Sequence, residues 1–362
     1  MKILVIQDRL RSGGTERQSI LLTRAFIAAG HDAALLTFRP GGALGPTAAD
    51  LPRIVLQPFD THLDWFAPGL FKKVISFAPD IILCMGRMAN CNAGSVNQML
   101  RVKFPGSAML CTMRTGKRLP MLFVHSLHQV RHVIANSHVS EKILVENYAV
   151  RPDKISVIHN SLVFAPTADP ATAANDRAQL RARFAASEKT IVLLCVAMFR
   201  PEKNQRELIE LAAQLPRDRD WQLWLGGEGA ALADCKALVV SKNLGDRVKF
   251  TGFQSDPRPL YHAADLAVLT SKSESLSNFL VEAHAHGLPS VAYKVSGVAE
   301  CGGLVVPPGD QSAFLAALTP LLTDATTRTN ESTRVRAYAA AHFAPERQAA
   351  AHLELFQRLL HA

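Results

Sequence analysis

The segment IVLLCVAMFRPEKNQ (191–205) decides the fold class. Its first part is a continuous apolar run of strand length, and its second part is a polar turn that opens the next helix-sized segment. Unbroken apolar runs are typical of parallel strands that helices cover on both faces. The segment therefore predicts one strand–loop–helix unit of an α/β protein.

The same alternation of strand and helix runs along the whole chain. Repeated units of this kind predict open, doubly wound sheets of the α/β class. Seven strand candidates precede residue 165 and six follow it. These candidates are KILVI (2–6), AALLTF (33–38), IVLQ (54–57), IILCM (81–85), AMLCTM (108–113), VIAN (133–136), ISVI (155–158), IVLLCVA (191–197), WQLWL (221–225), VKFT (248–251), LAVLT (266–270), SVAY (290–293) and LVV (304–306).

The length of 362 residues favours two domains over one. The stretch FAPTADPATAAND (164–176) is rich in Ala, Thr and Pro, and we predict that it is the linker. We expect two Rossmann-like domains of similar size, 1–165 and 166–344, which face each other across a cleft. Ligands of parallel sheets bind at the carboxyl ends of the strands, so this cleft is the predicted site.

The net positive charge of the chain comes entirely from its first half. The net charge is +9, and residues 1–165 contain 19 Lys and Arg against 10 Asp and Glu, whereas the remainder contains 21 of each class. This imbalance indicates either an ordinary basic surface or an anionic partner, such as a membrane surface or a phosphorylated acceptor. No nucleic-acid-binding motif accompanies the charge, so nucleic acid is not predicted as a partner.

Cysteine usage and hydropathy indicate a compartment for the protein. The six cysteines are scattered without CxxC pairs or zinc-type spacing, which predicts packed thiols in a reducing environment. The N-terminus reads as a first strand rather than a signal peptide, and the apolar run 191–199 is far too short to cross a membrane. We therefore expect a soluble cytoplasmic protein that can contact the inner face of the membrane.

Two carboxylates flank a candidate phosphate site in ESLSNFLVEAHAHGLP (274–289). The pattern predicts a helix over 279–286 that begins near Ser277 and Asn278, whose free backbone N–H groups favour a phosphate. Glu282, one turn inside, can accept both hydroxyls of a ribose cis-diol, and Glu274 can accept hydroxyls of a sugar attached beyond the phosphates. The alternative is that Glu282 is exposed to solvent and Glu274 is an ordinary loop residue.

Other strand ends add groups that suit a nucleotide. Lys203 lies in the turn after the 191–197 strand and is placed to neutralise a diphosphate, with Arg200 as a possible assistant. The turn LGGEG (225–229) would allow backbone to approach a ligand closely. The 248–251 strand is followed by Gly252 and Phe253, which we predict flank a base.

The order of these motifs resembles that of the retaining nucleotide-sugar glycosyltransferases of family 4, which have the GT-B fold. The resemblance extends from GGTER (13–17) to PPGD (307–310), and it is most specific over 196–310. It rests above all on two glutamates with seven residues between them, here Glu274 and Glu282.

The resemblance implies a role for each half of the chain and for the matched residues. Residues 1–165 would bind the acceptor, residues 166–344 the nucleotide sugar, and a last helix near 345–360 would cross back to the first domain. The implied activity retains the configuration of the anomeric carbon by a front-face mechanism, with neither metal nor cofactor. The implied catalytic residues are Glu274, Lys203 and Arg114, and the implied donor-binding residues are Glu282, Gly13, Gly14, Arg200, Leu276, Ser277, Asn278, Phe279, Gly252 and Phe253.

The chain departs from the family pattern at several places, among them a short loop between Glu300 and Gly303. Ala197-Met198-Phe199 replaces the usual GRL, so the Arg that contacts the diphosphate is missing and Arg200 is its candidate substitute. Arg114 stands where a His is frequent, as in a subgroup that includes transferases acting on lipid-linked or surface-polysaccharide precursors. His159-Asn160-Ser161 replaces the common PNG. The donor sugar is therefore not predicted, whereas a sugar or lipid-linked acceptor is.

The segment RTGKRLPMLFVHSLHQVRH (114–132) mixes positive charge with Leu, Met and Phe. One interpretation is a helix that lies on an anionic membrane or grips a lipid-linked diphosphate, with Lys117 and Arg118 as contacts. The other is that Leu119, Leu122, Phe123 and Leu127 simply pack the helix against its own sheet.

Several alternatives stay open. The same scaffold would suit a sugar phosphorylase or an epimerase, and the missing Arg would suit a degenerate nucleotide-sugar-binding subunit. The DRD motif (218–220) resembles the metal-binding DxD of another fold, but it precedes a strand rather than following one, so we predict no metal role. His284 and His286 are predicted to pack rather than to bind metal.

Overall fold

The structure is a computed structural model that describes residues 1–167 and 169–361. The chain divides into two compact units. The first consists of residues 1–163 and the segment from Ala344 onward, and the second is Phe164–Phe343. The chain thus changes unit at 163 and 343, whereas the predicted domain boundaries are 165 and 344.

Both units are built from strands and helices in alternation. The strands are β1 (Lys2–Gln7), β2 (Asp32–Thr37), β3 (Arg53–Val55), β4 (Ile81–Cys84), β5 (Ala108–Met113), β6 (His132–Ala135), β7 (Ile155–Val157), β8 (Ile191–Val196), β9 (Trp221–Gly226), β10 (Val248–Gly252), β11 (Leu266–Leu269), β12 (Ser290–Tyr293) and β13 (Leu304–Val306). The helices are α1 (Gly14–Ala28), α2 (Leu70–Phe77), α3 (Arg87–Lys103), α4 (Met121–Gln129), α5 (His138–Tyr148), α6 (Pro170–Arg183), α7 (Gln205–Ala212), α8 (Leu232–Ser241), α9 (Arg258–Ala263), α10 (Asn278–Ala285), α11 (Gln311–Thr323), α12 (Ala325–Phe343) and α13 (Pro345–His361).

Each unit contains one parallel sheet with doubly wound topology. The first sheet has the order β3-β2-β1-β4-β5-β6-β7 and the second the order β10-β9-β8-β11-β12-β13. In both, the chain starts in the middle, winds to one edge and then returns to build the other half, as in Rossmann-like folds. The predicted fold class is confirmed, and each of the thirteen predicted strand segments overlaps a strand of the described chain.

The apolar runs form strands because both faces of each sheet are covered. In β1, Ile3 and Val5 lie in one core cluster with α1 and α13, whereas Leu4 and Ile6 lie in another with helices α2–α5. Successive side chains of a strand point to opposite faces, so a strand with two buried faces must be apolar at every position. Burying each such side chain stabilises the fold by about 1.5–3 kcal/mol.

The last helix, α13, belongs to the first unit and packs against α1. Its Gln348 donates from Nε2 to Gln18 Oε1 at 2.8 Å and accepts from Ser161 Oγ at 2.8 Å. Farther along, Phe356 contacts Phe26 with the ring centroids 5.6 Å apart. Both an apolar contact and a buried polar network therefore hold α13 on this unit.

The predicted linker 164–176 is wrong in its second part. Residue 168 lies outside the described residues, but α6 already begins at Pro170. The Asp169 side chain accepts hydrogen bonds from the backbone N–H of Ala171 at 3.0 Å and of Thr172 at 3.2 Å. Asp is a strong N-cap, Pro is tolerated in the first turn, and Ala is the best helix former, so the composition that resembles a linker is also that of a capped helix start.

The helix predicted within 114–132 is shorter than expected. It spans only Met121–Gln129, and Pro120 occupies its N-cap position in an extended conformation. Lys117 and Arg118 therefore lie in the loop before the helix rather than on it.

Two predictions about composition can be compared with the described residues. All six cysteines are free and buried, which confirms that the thiols pack. Among the residues that the structure describes, no helix combines the length and the hydropathy needed to span a bilayer.

Candidate active site

In the second unit, Lys203 and Glu274 form an ion pair across the ends of two neighbouring strands. Strands β8 and β11 are adjacent and parallel, with Leu193 opposite Leu266, so the loops that follow them leave the same edge of the sheet. Lys203 Nζ lies 2.7 Å from Oε1 and 2.8 Å from Oε2 of Glu274. The structure thus brings together two predicted site residues that are 71 positions apart in the chain.

The two loops that carry this pair are joined by further hydrogen bonds. The backbone N–H of Lys272 donates to Glu202 O at 2.8 Å, and Thr270 Oγ1 donates to Asn204 O at 2.9 Å. These two bonds reduce the freedom of both loops, which favours a fixed separation between the ammonium and the carboxylate.

Neither predicted glutamate is an ordinary surface residue. Glu282 is 6% exposed, so the alternative of a solvent-exposed Glu282 is wrong. Glu274 does lie in a loop, but it is only 9% exposed. Glu282 accepts a hydrogen bond from Tyr261 Oη at 2.7 Å. Carboxylates are seldom buried without a partner, and here each has at least one cationic or hydroxyl donor.

Helix α10 begins where the phosphate site was predicted. Its first residue is Asn278, and Ser277 Oγ caps it by accepting from Leu280 N at 3.4 Å. The positive end of the helix dipole therefore lies in the segment 276–279, directly after the loop of Glu274. Leu276, Ser277 and Phe279 are all buried, so any anion here would meet backbone amides rather than these side chains.

Three further predicted donor residues, Arg200, Gly252 and Phe253, follow or end strands of the same unit. Arg200 is exposed in the loop after β8. Gly252 ends β10 with a positive φ of 73°, a conformation that glycine adopts easily, and the adjacent Phe253 ring is 37% exposed. A partly exposed aromatic ring at the carboxyl end of a strand is available to stack on a base, as the sequence predicts.

The glycine-rich turn 225–229 packs closely against a neighbouring loop. A Cβ at Gly227 would collide with the carbonyl oxygen of Ala197, and one at Gly229 with that of Phe199. Phe199 N also donates to Glu228 O at 2.8 Å. The glycines therefore let this turn pack closely against the loop that leads to Lys203, and the close approach of a ligand to the turn stays a prediction.

In the first unit, Gly13 and Gly14 join β1 to α1, and Gly13 is the N-cap of that helix. Nearby, Asp8 at the end of β1 accepts hydrogen bonds from Met88 N at 3.0 Å and Ala89 N at 2.8 Å, and so caps α3. Burial raises the pKa of Asp8 to about 6, although these two backbone donors oppose the rise.

Arg114 follows β5 in the first unit and is held by Asn160, whose Oδ1 accepts from Nη1. Its Nε and Nη2 are buried without a hydrogen-bond partner among the described residues. Burial lowers the pKa of the guanidinium to about 10. A buried cation with unsatisfied donors is an electrostatic feature that favours an anionic group at this edge of the sheet.

The remaining candidates have structural roles. Asp220 of the DRD motif accepts from Thr190 Oγ1 at 2.8 Å in the turn before β9. The two ring nitrogens of His284 lie 2.8 Å from Cys301 O and 2.7 Å from Ser290 Oγ, so this histidine packs as predicted. Sequence reasoning missed Tyr261, because a tyrosine in a short amphipathic helix has the signature of an ordinary core residue.

Comparison with solved structures shows the class of fold. HepE of Anabaena in complex with UDP and glucose matches with a TM-score of 0.82 at 22% identity, covering 99% of each chain. Sucrose-phosphate synthase of Thermosynechococcus elongatus matches with a TM-score of 0.77 at 23% identity, again covering 99% of each chain. With its two Rossmann-like sheets, the chain therefore has the GT-B fold of glycosyltransferases.

Two sequence families cover most of the chain. Residues 12–162 match Glycosyltransferase Family 4, and residues 176–341 match Glycosyl transferases group 1. The chain belongs to glycosyltransferase family 4, as its motifs predict.

The chain is also similar to proteins whose names give different functions. The chain is 26% identical over 250 residues to N-acetyl-alpha-D-glucosaminyl L-malate synthase of Bacillus anthracis, a match that covers 63% of this chain and 65% of the relative. It is 31% identical over 169 residues to the lipopolysaccharide core biosynthesis glycosyltransferase LpsE of Rhizobium meliloti, which covers 45% and 49%. It is 31% identical over 251 residues to D-inositol 3-phosphate glycosyltransferase of Kineococcus radiotolerans, which covers 62% and 57%. The chain spans less than two thirds of the length of each of these relatives.

Proposed function

We propose that this protein transfers a sugar from a nucleotide-diphosphate sugar to an acceptor hydroxyl with retention at the anomeric carbon. The observation that carries the proposal is the Lys203–Glu274 pair, with Nζ 2.7 and 2.8 Å from the carboxylate oxygens. Lys203 lies in the loop after β8, and Glu274 lies in the loop before α10. This arrangement brings a cation and a helix N-terminus to the same edge of the sheet, where its parallel strands end. Both favour the negative charge that develops on a leaving diphosphate.

The proposed chemistry is front-face displacement on the donor. The bond between the anomeric carbon and the diphosphate oxygen breaks, the acceptor oxygen bonds to that carbon from the same face, and the leaving oxygen takes the acceptor proton. Lys203 and the amides at 276–279 stabilise the leaving charge, and Glu282 binds the ribose. Glu274 is already bound by Lys203 through both oxygens, which suits a residue that orients donor-sugar hydroxyls better than it suits a covalent nucleophile.

The proposed acceptor is a sugar or a lipid-linked saccharide used for cell-surface polysaccharide or glycolipid synthesis. The name of LpsE places that relative in lipopolysaccharide core synthesis. The unsatisfied guanidinium donors of Arg114 and the surplus of basic residues, both in residues 1–165, support an acceptor with an anionic group.

The first test is a donor screen. Incubating the protein with a panel of nucleotide sugars should release nucleoside diphosphate slowly from one donor without acceptor, because a transferase hydrolyses its donor to some extent. The anomeric configuration of the released or transferred sugar, measured by NMR, should match that of the donor. Turnover should persist in EDTA, since the proposal assigns the charge stabilisation to Lys203 and backbone amides.

Each outcome of the screen decides between functions. Binding of a nucleotide sugar without any release of diphosphate would indicate a binding subunit. Product with the opposite anomeric configuration would exclude retention. Loss of turnover in EDTA that added Mg²⁺ restores would exclude the metal-independent reaction.

We also propose that the first unit contacts anionic membrane through the outer surface of the layer α2–α4. Phe123 and Leu127 of α4 are buried, as the packing interpretation predicts, but Leu122 is 64% exposed and the adjacent Met121 is 89% exposed. Helix α3 packs on both α2 and α4. The exposed residues of this layer and of the loop before α4 include the apolar Phe71, Ile75, Val102, Met121 and Leu122 and the basic Lys72, Lys73, Arg101, Lys103, Lys117 and Arg118.

This combination predicts salt-sensitive binding to lipid. Exposed apolar side chains insert into the interface, while basic residues are attracted to anionic headgroups. In flotation with vesicles of phosphatidylcholine and phosphatidylglycerol, the protein should float at low salt and be released as salt rises, because charges are screened over about 8 Å at physiological ionic strength. The double variant Lys117→Glu/Arg118→Glu should stay at the bottom of the gradient while hydrolysing donor as fast as the wild type.

A matched control carries the same change of charge elsewhere. Lys189 and Lys242 are exposed in the second unit, and Lys189→Glu/Lys242→Glu should float like the wild type. A wild-type protein that does not float even at low salt would exclude the membrane contact and would favour a soluble acceptor.

A further inference from the structure

Tyr261 supplies the hydroxyl that contacts Glu282. Its side chain is 2% exposed, and Oη donates to Oε2 of Glu282 at 2.7 Å. The two residues are 21 positions apart, on α9 and α10, which precede and follow strand β11. A buried phenol usually finds a polar partner, and here the partner is the carboxylate that we assign to the ribose.

The helix that carries Tyr261 is anchored at its C-terminal end. Arg181 Nε donates to Ala263 O at 3.0 Å, and Arg177 Nη1 donates to the same carbonyl at 3.2 Å. Both guanidinium groups also bind Asp265. The carbonyl groups at the end of a helix need such donors, and two arginines bound to one aspartate fix this end of α9 against α6.

The ring of Tyr261 packs against two other aromatic rings. Its centroid lies 6.3 Å from that of Phe279, with an interplanar angle of 29°, and 4.8 Å from that of His286. His286 Nδ1 lies 2.9 Å from the backbone oxygen of Glu282. The hydroxyl therefore points to the carboxylate from a ring that has little freedom to move.

We propose that Tyr261 is a positioning residue for Glu282 and thereby sets how strongly the protein prefers ribose over 2′-deoxyribose. A glutamate side chain has three rotatable bonds, and fixing it on binding costs conformational entropy. Tyr261 fixes one carboxylate oxygen before any ligand arrives, so the carboxylate meets the ribose hydroxyls in the required orientation. The inference rests on the proposed role of Glu282 in ribose binding.

The test compares Tyr261→Phe with the wild type, because this change removes the hydroxyl and keeps the ring. Dissociation constants are measured by calorimetry for ADP, GDP, CDP and UDP and for their 2′-deoxy forms, and the base with the tightest ribose form is used. We expect Tyr261→Phe to weaken the ribose form by about tenfold, the usual size of one hydrogen bond to a charged group, and the 2′-deoxy form by much less. The preference for ribose should therefore shrink by about threefold or more.

Tyr293→Phe is the matched control. Tyr293 in the same unit also donates to a glutamate, with Oη 2.5 Å from Glu207 Oε1. This variant also loses a tyrosine hydroxyl that donates to a glutamate, but that glutamate is not the proposed ribose ligand. Its preference for ribose should therefore equal that of the wild type. A melting temperature measured for each variant shows that the comparison is made between folded proteins.

Glu282→Gln separates failure of this inference from failure of the proposed function. If Glu282→Gln loses the preference for ribose and Tyr261→Phe keeps it, Tyr261 is only structural and the inference is overturned. If neither the wild type nor Glu282→Gln distinguishes the ribose form from the 2′-deoxy form, Glu282 is not the ribose ligand. In that case the proposed donor site fails together with the inference. Adding Tyr261→Phe to Glu282→Gln should change the preference no further, because coupled residues are not additive.

Discussion

Replacing Lys203 with alanine should lower turnover of the donor by about a hundredfold to a thousandfold. Removing one preorganised donor from the site of developing charge typically has an effect of about this size. Lys203 Nζ is held by both carboxylate oxygens of Glu274, so the ammonium is in place before a diphosphate arrives. The same variant should lose far more affinity for a nucleoside diphosphate than for the monophosphate, because only the diphosphate places a second charged group near Nζ.

Arg200→Ala is the comparison for this variant. Arg200 is a cation of the same loop but is exposed. Its removal should therefore also lower affinity for the diphosphate more than for the monophosphate, but by a smaller factor. The double variant Lys203→Ala/Glu274→Gln tests whether the effect comes from a buried carboxylate left without its cation, since Glu274 is only 9% exposed. Equal weakening of monophosphate and diphosphate binding by Lys203→Ala would show that Lys203 does not contact the diphosphate.

Glu282→Ala should weaken binding of free nucleotide by about 1.5–3 kcal/mol, or roughly ten- to hundredfold. The buried carboxylate is the proposed acceptor for the ribose hydroxyls, and its removal leaves those hydroxyls without a charged partner. Isothermal titration of the nucleoside diphosphate measures the loss directly. The variant also leaves the Tyr261 hydroxyl without its partner, so its melting temperature should fall as well.

Glu274→Ala is the matched control for Glu282→Ala. It removes the same group from the other glutamate of the motif, and we expect nearly intact binding of free nucleotide together with reduced turnover. Unchanged nucleotide affinity in Glu282→Ala would remove Glu282 from the ribose site.

The sequence predicted candidate site residues, but it did not predict the contacts between them. Lys203 and Glu274 were predicted separately, one for the diphosphate and one for the sugar, and only the structure shows their ion pair. The sequence predicts that the turn with Gly227 and Gly229 allows close approach of a ligand, and only the structure shows that these glycines accommodate the carbonyls of Ala197 and Phe199. Contacts between residues 30 or more positions apart depend on strand order, and no local pattern records strand order.

The sequence by itself determined the fold class and the thirteen strand positions of the described chain. Strands with two buried faces must be apolar throughout, and that requirement is visible in any short window of sequence. Tertiary structure alone decided that α6 begins inside the predicted linker and that Tyr261 binds Glu282. It also decided that two guanidinium nitrogens of Arg114 find no hydrogen-bond partner in the part of the chain that the structure describes. Each of these depends on a partner or a degree of burial supplied by a distant part of the chain, because hydrogen bonds and desolvation act through space rather than along the sequence.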